Sequence, residues 1–273
     1  MKLALIQLYC KWGAVKRNLA RHRGHMEAAR AQGADLAVFP EMSAQGMWKD
    51  HLVRLAAEPL DGPIVRTMAG WAREYDIAVA FGMAEKTPKK PYNTYILIDR
   101  RGTLVGAYRK NYVTVMELHY FRKDTRRPIL ELDGVKVALS ICADNCNPEI
   151  LESYARRGAR IVLMPHAWDA DPLFRDGDTT SWNNMEEMVD AFVNDRITRF
   201  RTHREMLRQF QERIVPLAGE LGFYAVFVNQ VGTPHPLIPM VGPSFVADPE
   251  GRVIACSTSK REGIVFADLP EFA

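Results

Sequence analysis

The sequence contains no long apolar run. A membrane-spanning helix needs about 20 consecutive apolar residues, and no stretch approaches that length. The opening Met1-Lys2-Leu3-Ala4-Leu5-Ile6-Gln7 is apolar only briefly and lacks the organisation of a signal peptide. Neither a membrane nor a secretory role is expected. Cysteine is also scarce. Cys10, Cys142, Cys146 and Cys256 form no CxxC pair and no dense framework. That excludes a disulfide scaffold and points to free thiols in a reducing, cytoplasmic setting. No His or Cys spacing suggests a metal site. Charge of one sign is not in excess: 36 basic and 33 acidic residues leave +3, too little to make nucleic acid or a membrane the main partner. Repeats, low-complexity tracts and linker-like stretches are missing too, so a single domain over residues 1–273 is expected.

What is present is an α/β pattern. The composition, 47% hydrophobic and 25% charged, suits a packed core and excludes disorder. Strands are expected over Lys2–Leu8, Asp35–Phe39, Ile77–Phe81, Val135–Ile141, Arg160–Met164 and Gly222–Asn229. Helices are expected over Ala14–Gln32, where Val15, Leu19, His22 or Arg23, Met26 and Ala29 recur at helical spacing, over Gly62–Tyr75 and over Glu149–Arg157. Asn93–Asp99 and Leu104–Tyr108 flank Arg100-Arg101-Gly102-Thr103 and read as a hairpin. Ser244–Ala247, Arg252–Cys256 and Gly263–Phe266 are late strands. Strand–helix alternation early and hairpins late predict mixed sheets covered by helices.

Ser181 to Leu221 reads as one long helical segment, with Pro216 able to kink it. Arg196, Arg199, Arg201, Arg204, Arg208 and Arg213 cluster there. Such a run is usually a solvated helix face; the sharper reading is a pocket wall that attracts a carboxylate.

The most informative stretch is Val137-Ala138-Leu139-Ser140-Ile141-Cys142-Ala143-Asp144, followed by Pro148-Glu149. A buried strand stops at a cysteine and a helix begins just beyond it. A thiol beside a helix N-terminus is easier to ionise, and an oxyanion formed there is stabilised. By itself a strand-end cysteine is more often a small core residue. Two further reactive groups also follow strands: Glu41 in Val38-Phe39-Pro40-Glu41, and Lys110 in Tyr108-Arg109-Lys110-Asn111. Either alone is ordinarily just solvated. Strand ends are where the sites of open α/β sheets gather, and three such groups in this order are specific.

With these residues the chain resembles the nitrilase superfamily of carbon–nitrogen hydrolases, whose hallmark is a Glu-Lys-Cys triad. The resemblance runs over nearly the whole chain. It includes Phe39-Pro40-Glu41, Tyr108-Arg109-Lys110, Ile141-Cys142-Ala143-Asp144 with Pro148-Glu149, Asn229-Gln230-Val231-Gly232, and Gly242-Pro243-Ser244 leading to Asp248-Pro249-Glu250-Gly251. It implies a four-layer αββα sandwich, no cofactor, and a homodimer or larger homo-oligomer joined through outer helices. It also implies a second glutamate after the lysine, and Glu117 fits that slot. Glu41 would take the Cys142 proton, while Lys110 and the Ala143 N–H would stabilise the oxyanion. Glu117 would orient Lys110 and the substrate amide.

Departures from the family pattern bear on the substrate. Ala143 stands where many amidases carry an aromatic and true nitrilases a tryptophan, which leans away from nitriles. Cys146 and Asn147 replace an arginine–aromatic pair. The long stretch after Pro165 suggests His166, Trp168 and Trp182 as substrate-pocket residues, although His166 reads equally as a core histidine and His203 as a helix-face one. The leading expectation is thiol-dependent hydrolysis of a small linear amide, releasing ammonia and a carboxylic acid. The alternatives are an N-carbamoyl amine or amino-acid amidohydrolase, a nitrilase, and a non-catalytic assembly subunit.

Overall fold

The computed structural model describes residues 1–47, 52–174, 194, 197–235 and 238–272. Two six-stranded mixed sheets carry the fold. The first contains β1 (Lys2–Gln7), β2 (Leu36–Val38), β3 (Ala78–Glu85), β4 (Tyr92–Ile98), β5 (Leu104–Arg109) and β16 (Gly263–Asp268), in the order β16-β1-β2-β3-β4-β5. The second contains β6 (Ile129–Leu132), β7 (Val135–Leu139), β8 (Ile161–His166), β11 (Tyr224–Asn229), β14 (Ser244–Ala247) and β15 (Val253–Cys256), in the order β15-β14-β11-β8-β7-β6. Two short ribbons accompany them: β9 (Pro172–Phe174) with β10 (Ile197–Phe200), and β12 (Val231–His235) with β13 (Ile238–Val241). The α-helices among the described residues are α1 (Val15–Ala31), α2 (Val53–Ala56), α3 (Pro63–Tyr75), α4 (Pro148–Arg156) and α5 (His203–Leu221).

Alternation along each strand explains the layering. Leu3 and Leu5 of β1 point into a core shared with Val137 and Leu139 of β7 and with Val226 and Val228 of β11. Ala4 and Ile6 face the other way, onto Met26 of α1 and Met68 of α3. In the second sheet Ala138, Ala225 and Phe227 face outward onto Leu151 of α4 and Phe210 and Ile214 of α5. Strands buried on both faces carry continuous apolar runs, as Ile161–Met164 does. The result is helices, sheet, sheet, helices: the expected αββα sandwich.

Local chemistry sets the element ends. Pro63 opens α3, and Gly222 closes α5 in the left-handed region at φ +69. Helix α1 buries Asn18, His22, Met26 and Ala29, a stripe offset from the one its apolar residues suggest. Val15 and Leu19 pack partly buried beside this stripe, and the Asn18 amide is held inside by the backbone of Lys11 and Ala44.

The Ser181–Leu221 expectation needs correction. Within its described part, Ile197–Phe200 is a strand antiparallel to Pro172–Phe174, and the helix starts only at His203. Thr202 and Glu205 form a capping box: Thr202 Oγ1 accepts from the Glu205 N–H at 3.3 Å, and Glu205 Oε2 accepts from the Thr202 N–H at 2.7 Å. Strand β6 was also not expected, although Asp133-Gly134, both at positive φ, is a hairpin signature. Among the described residues no helix is long and apolar enough to cross a membrane.

Phe227 stacks on Phe245 at 4.8 Å and on His166 at 3.9 Å between ring centres. Phe227→Ala should cost about 3–5 kcal/mol. Equilibrium urea unfolding measures this as a lowered midpoint at unchanged slope.

Candidate active site

The end of β7 is built to present Cys142. The Ser140 N–H still pairs with Leu163 of β8 at 3.0 Å, and Ile141 remains extended. Cys142 then adopts φ +50, a left-handed conformation costing about 1–3 kcal/mol in a non-glycine residue. This single residue turns the chain from strand into a 3-10 helix, Cys142–Cys146, and the Asn147 side chain caps α4 by accepting from the Glu149 N–H. The thiol is 9% exposed.

Glu41 reaches the site from β2. The Phe39 N–H pairs with Ala80 O, the Tyr95 hydroxyl donates to Phe39 O, and Met42 turns at φ +53. Gly82 of β3 lies directly beneath: a Cβ there would sit 2.2 Å from Met42 N, so only glycine lets the Glu41 turn lie this close to the sheet. The carboxylate is held at both oxygens. Oε1 accepts from Lys110 Nζ at 2.9 Å and Asn93 Nδ2 at 2.7 Å, and Oε2 accepts from the Ala167 N–H at 2.7 Å. Gln230 Nε2 donates to Glu41 O at 2.8 Å.

Lys110 follows β5, with its own N–H on Asn93 O. Its ammonium also donates to Glu117 Oε1 at 2.7 Å. Glu117 opens a short 3-10 turn, Glu117–His119, and its Oε2 accepts from the Thr114 N–H. Lys110 and Glu41 are each 1% exposed and Glu117 6%. Burial alone would push the Lys110 pKa down, but the charges of Glu117 and Glu41 outweigh it and hold it well above the ordinary lysine value. Burial pushes the Cys142 thiol well up, Glu41 adds to this, and Lys110 pulls it back. The easing of ionisation expected beside a helix N-terminus is opposed by burial and by the Glu41 charge, with Lys110 working the other way, and the net direction leaves the thiol protonated at neutral pH.

Comparison with known proteins fits this arrangement. The carbon–nitrogen hydrolase family model matches residues 2–195 and 197–271. The chain belongs to the carbon–nitrogen hydrolase family. An (R)-stereoselective amidase from a Pseudomonas species is 29% identical over 254 residues, covering 93% of this chain and 80% of that one. An N-carbamoylputrescine amidase of Solanum tuberosum is 24% identical over 284 residues, covering 98% and 85%. Among solved structures, the amidase of Nesterenkonia sp. AN1 superposes with a TM-score of 0.79 at 22% identity, covering 99% of this chain and 93% of that one. A variant of that amidase has been captured with acrylamide added to its active-site cysteine.

In this carbon–nitrogen hydrolase the structure brings Glu41, Lys110, Glu117 and Cys142 into one cluster, with Ala143 directly after the sulfur-bearing residue. The substrate-pocket expectations fare differently. His166 is 1% exposed, sandwiched against Phe227 with Nδ1 on Met164 O, and burial lowers its pKa to about 3. It is a neutral core ring under the site. Trp168 is half-buried and tethered: its N–H donates to Asn229 Oδ1 and its indole Nε1 to Asp171 Oδ1. Trp182 lies outside the described residues. His203 is no free helix-face residue, since its ring bridges Val241 O and Ser257 O. Arg199 and Arg208 are exposed and face Glu205 and Glu212, as residues of a solvated face would, and the half-buried Arg201 lies 3.8 Å from Asp171. Among the described residues no group of three His, Cys, Asp or Glu side chains could hold a metal ion.

Sequence reasoning missed Asn93 and the Ala167 N–H. An asparagine at a strand start carries no signal, and a backbone donor has none. Gln230 stood within a recognised block, but its grip on the Glu41 carbonyl required the fold.

Breaking a buried ion pair by removing one partner costs about 3–5 kcal/mol, so Lys110→Met should lose stability of that order at pH 7. The folded-state pKa lies above that of the unfolded chain, so the pairing stabilises fully below about pH 10.4 and is lost as pH rises through the folded value. Unfolding free energies of wild type and variant should run parallel from pH 7 to 9 and converge only above pH 10.

Proposed function

We propose that this carbon–nitrogen hydrolase cleaves the C–N bond of a small linear amide through a thioester on Cys142. The observation that carries this reading is the buried Lys110 ammonium bridging Glu41 at 2.9 Å and Glu117 at 2.7 Å beside a protonated thiol. An acid–base pair and a fixed cation around one sulfur suit acyl transfer.

The resting thiol cannot attack, so its proton passes to Glu41 as sulfur bonds to the amide carbon. Negative charge moves onto the carbonyl oxygen, where Lys110 and the Ala143 N–H stabilise it; donors of this kind are each worth about 2.7–4 kcal/mol. Glu41 gives its proton to the departing nitrogen, and the C–N bond breaks to release ammonia. Water then attacks the thioester, with Glu41 as base, and the carboxylic acid leaves as the thiol is restored. The donors on Glu41 keep the carboxylate aimed through both half-reactions. Glu117 holds Lys110 in place and is available to the amide N–H. The cysteine of the Nesterenkonia amidase variant adds acrylamide by Michael addition, which supports sulfur as the attacking atom.

The test is ammonia release across a panel of amides, N-carbamoyl compounds and nitriles, with intact-protein mass spectrometry. Amides should release ammonia and an acid without carbon dioxide, and the acyl mass should map to Cys142. Cys142→Ala should abolish turnover while remaining folded, and Lys110→Ala should lower kcat far more than it raises KM. Carbon dioxide release would place the substrate among carbamoyl compounds. Equal labelling of Cys10, Cys142 and Cys256 with no turnover would remove the enzymatic reading.

A further inference from the structure

One buried acid in the cluster has no part in the chemistry above. Asp144 lies two residues after Cys142 and is fully buried. Four donors meet its carboxylate. Oδ2 accepts from the Ile141 N–H at 3.0 Å and from the Tyr108 hydroxyl at 2.8 Å. Oδ1 accepts from the Asn111 N–H at 3.1 Å and the Tyr112 N–H at 2.5 Å. Ile141 precedes the nucleophile. Tyr108, Asn111 and Tyr112 lie on either side of Lys110. One side chain therefore ties the turn that presents sulfur to both flanks of the residue that presents the ammonium.

We propose that Asp144 is a positioning residue: its carboxylate fixes the separation of the Lys110 ammonium and the Cys142 sulfur by joining their two loops. This rests on the amide-hydrolase reading of the same site. Closing the Cys142 turn would need only the bond to Ile141. The remaining three bonds reach across to the other sheet, where β5 ends. The two loops come from different sheets, and no backbone hydrogen bond links Asn111 or Tyr112 to residues 141–144. The charged groups around Asp144 are few. Tyr108 meets it from β5, Tyr154 stands near it on α4, and Lys110 lies beyond. Burial raises the Asp144 carboxyl to about 6, with the Tyr112 N–H, the Lys110 charge and the Tyr108 hydroxyl pulling it back. At neutral pH it is ionised and accepts all four bonds. A neutral carboxamide in its place turns an N–H toward groups that are themselves donors.

The experiment is the pH profile of Cys142 alkylation by iodoacetamide in wild type, Asp144→Asn, Lys110→Met and the double variant, with thermal melts and kcat and KM on the best amide. Alkylation reads the sulfur's surroundings without substrate, so it stands even if the amide panel fails. Asp144→Asn should shift the alkylation midpoint to higher pH, because the ammonium no longer sits against the sulfur. Mere deletion of a nearby negative charge would shift it lower. A displacement of about 1 Å costs roughly 100-fold, so kcat should fall by that order while KM moves far less. In the Lys110→Met background the same substitution should add little. A folded Asp144→Asn with the wild-type alkylation profile, a downward shift, or additive losses would each overturn the proposal. If Asp144→Asn does not fold, Tyr108→Phe removes one of the four donors and should shift the profile the same way by a smaller amount; an unchanged profile there would equally overturn it.

Discussion

The structure depends on one buried ammonium shared by two carboxylates. Removing three charges from water is expensive, and the mutual attraction repays it only where the geometry is good and each charged atom is hydrogen-bonded. Both conditions hold at Lys110. Glu41 and Glu117 accept from its Nζ, Asn93 and the Ala167 N–H complete Glu41, and the Thr114 N–H completes Glu117. Two acids and one base leave a single net negative charge next to a sulfur that burial keeps protonated. Moving the thiol proton onto Glu41 does not change that total, so the charge is relocated within a fixed field and not created in a dry cavity.

The two sheets exist to hold this cluster. Glu41 and Lys110 come from the first sheet, Cys142 and the Ala167 N–H from the second, and the hydrocarbon between them fixes the sheets face to face. Backbone strain is concentrated at the same place. Of the four non-glycine residues at positive φ among the described residues, Cys142 is the nucleophile candidate and Met42 follows Glu41 directly. Gly82 then supplies the space into which the Met42 turn fits. Such conformations persist only where the surroundings over-determine them.

Much of this was legible in the sequence, for identifiable reasons. Strand runs such as Val137–Ile141 are apolar but for Ser140 because both faces are buried, and the strand-end positions of Glu41, Lys110 and Cys142 can be read from those runs. The resemblance to the family supplied their order and placed Glu117. What was hidden depends on contacts between distant segments. His166 looks like a pocket residue by position, yet it is a core ring because Phe227 lies beneath it. The arginines of the 181–221 segment look available, yet Arg199, Arg201 and Arg208 are matched by acids nearby in the fold. In the described part of the segment expected to be helical, Ile197–Phe200 is a strand and a helix runs from His203, whose start the capping pair Thr202 and Glu205 had marked. The effect of burial on the thiol was also out of reach, because desolvation belongs to the assembled site.

The central claim is that carboxylate, ammonium and sulfur work as one unit that forms a covalent acyl intermediate. Rapid mixing of enzyme with excess amide, followed by acid quench, measures it most directly. The account predicts a burst of one ammonia per chain together with an acyl mass on Cys142 that appears at the same rate and decays no slower than turnover. Ammonia released without any acyl mass on that cysteine, at every time sampled, would contradict it.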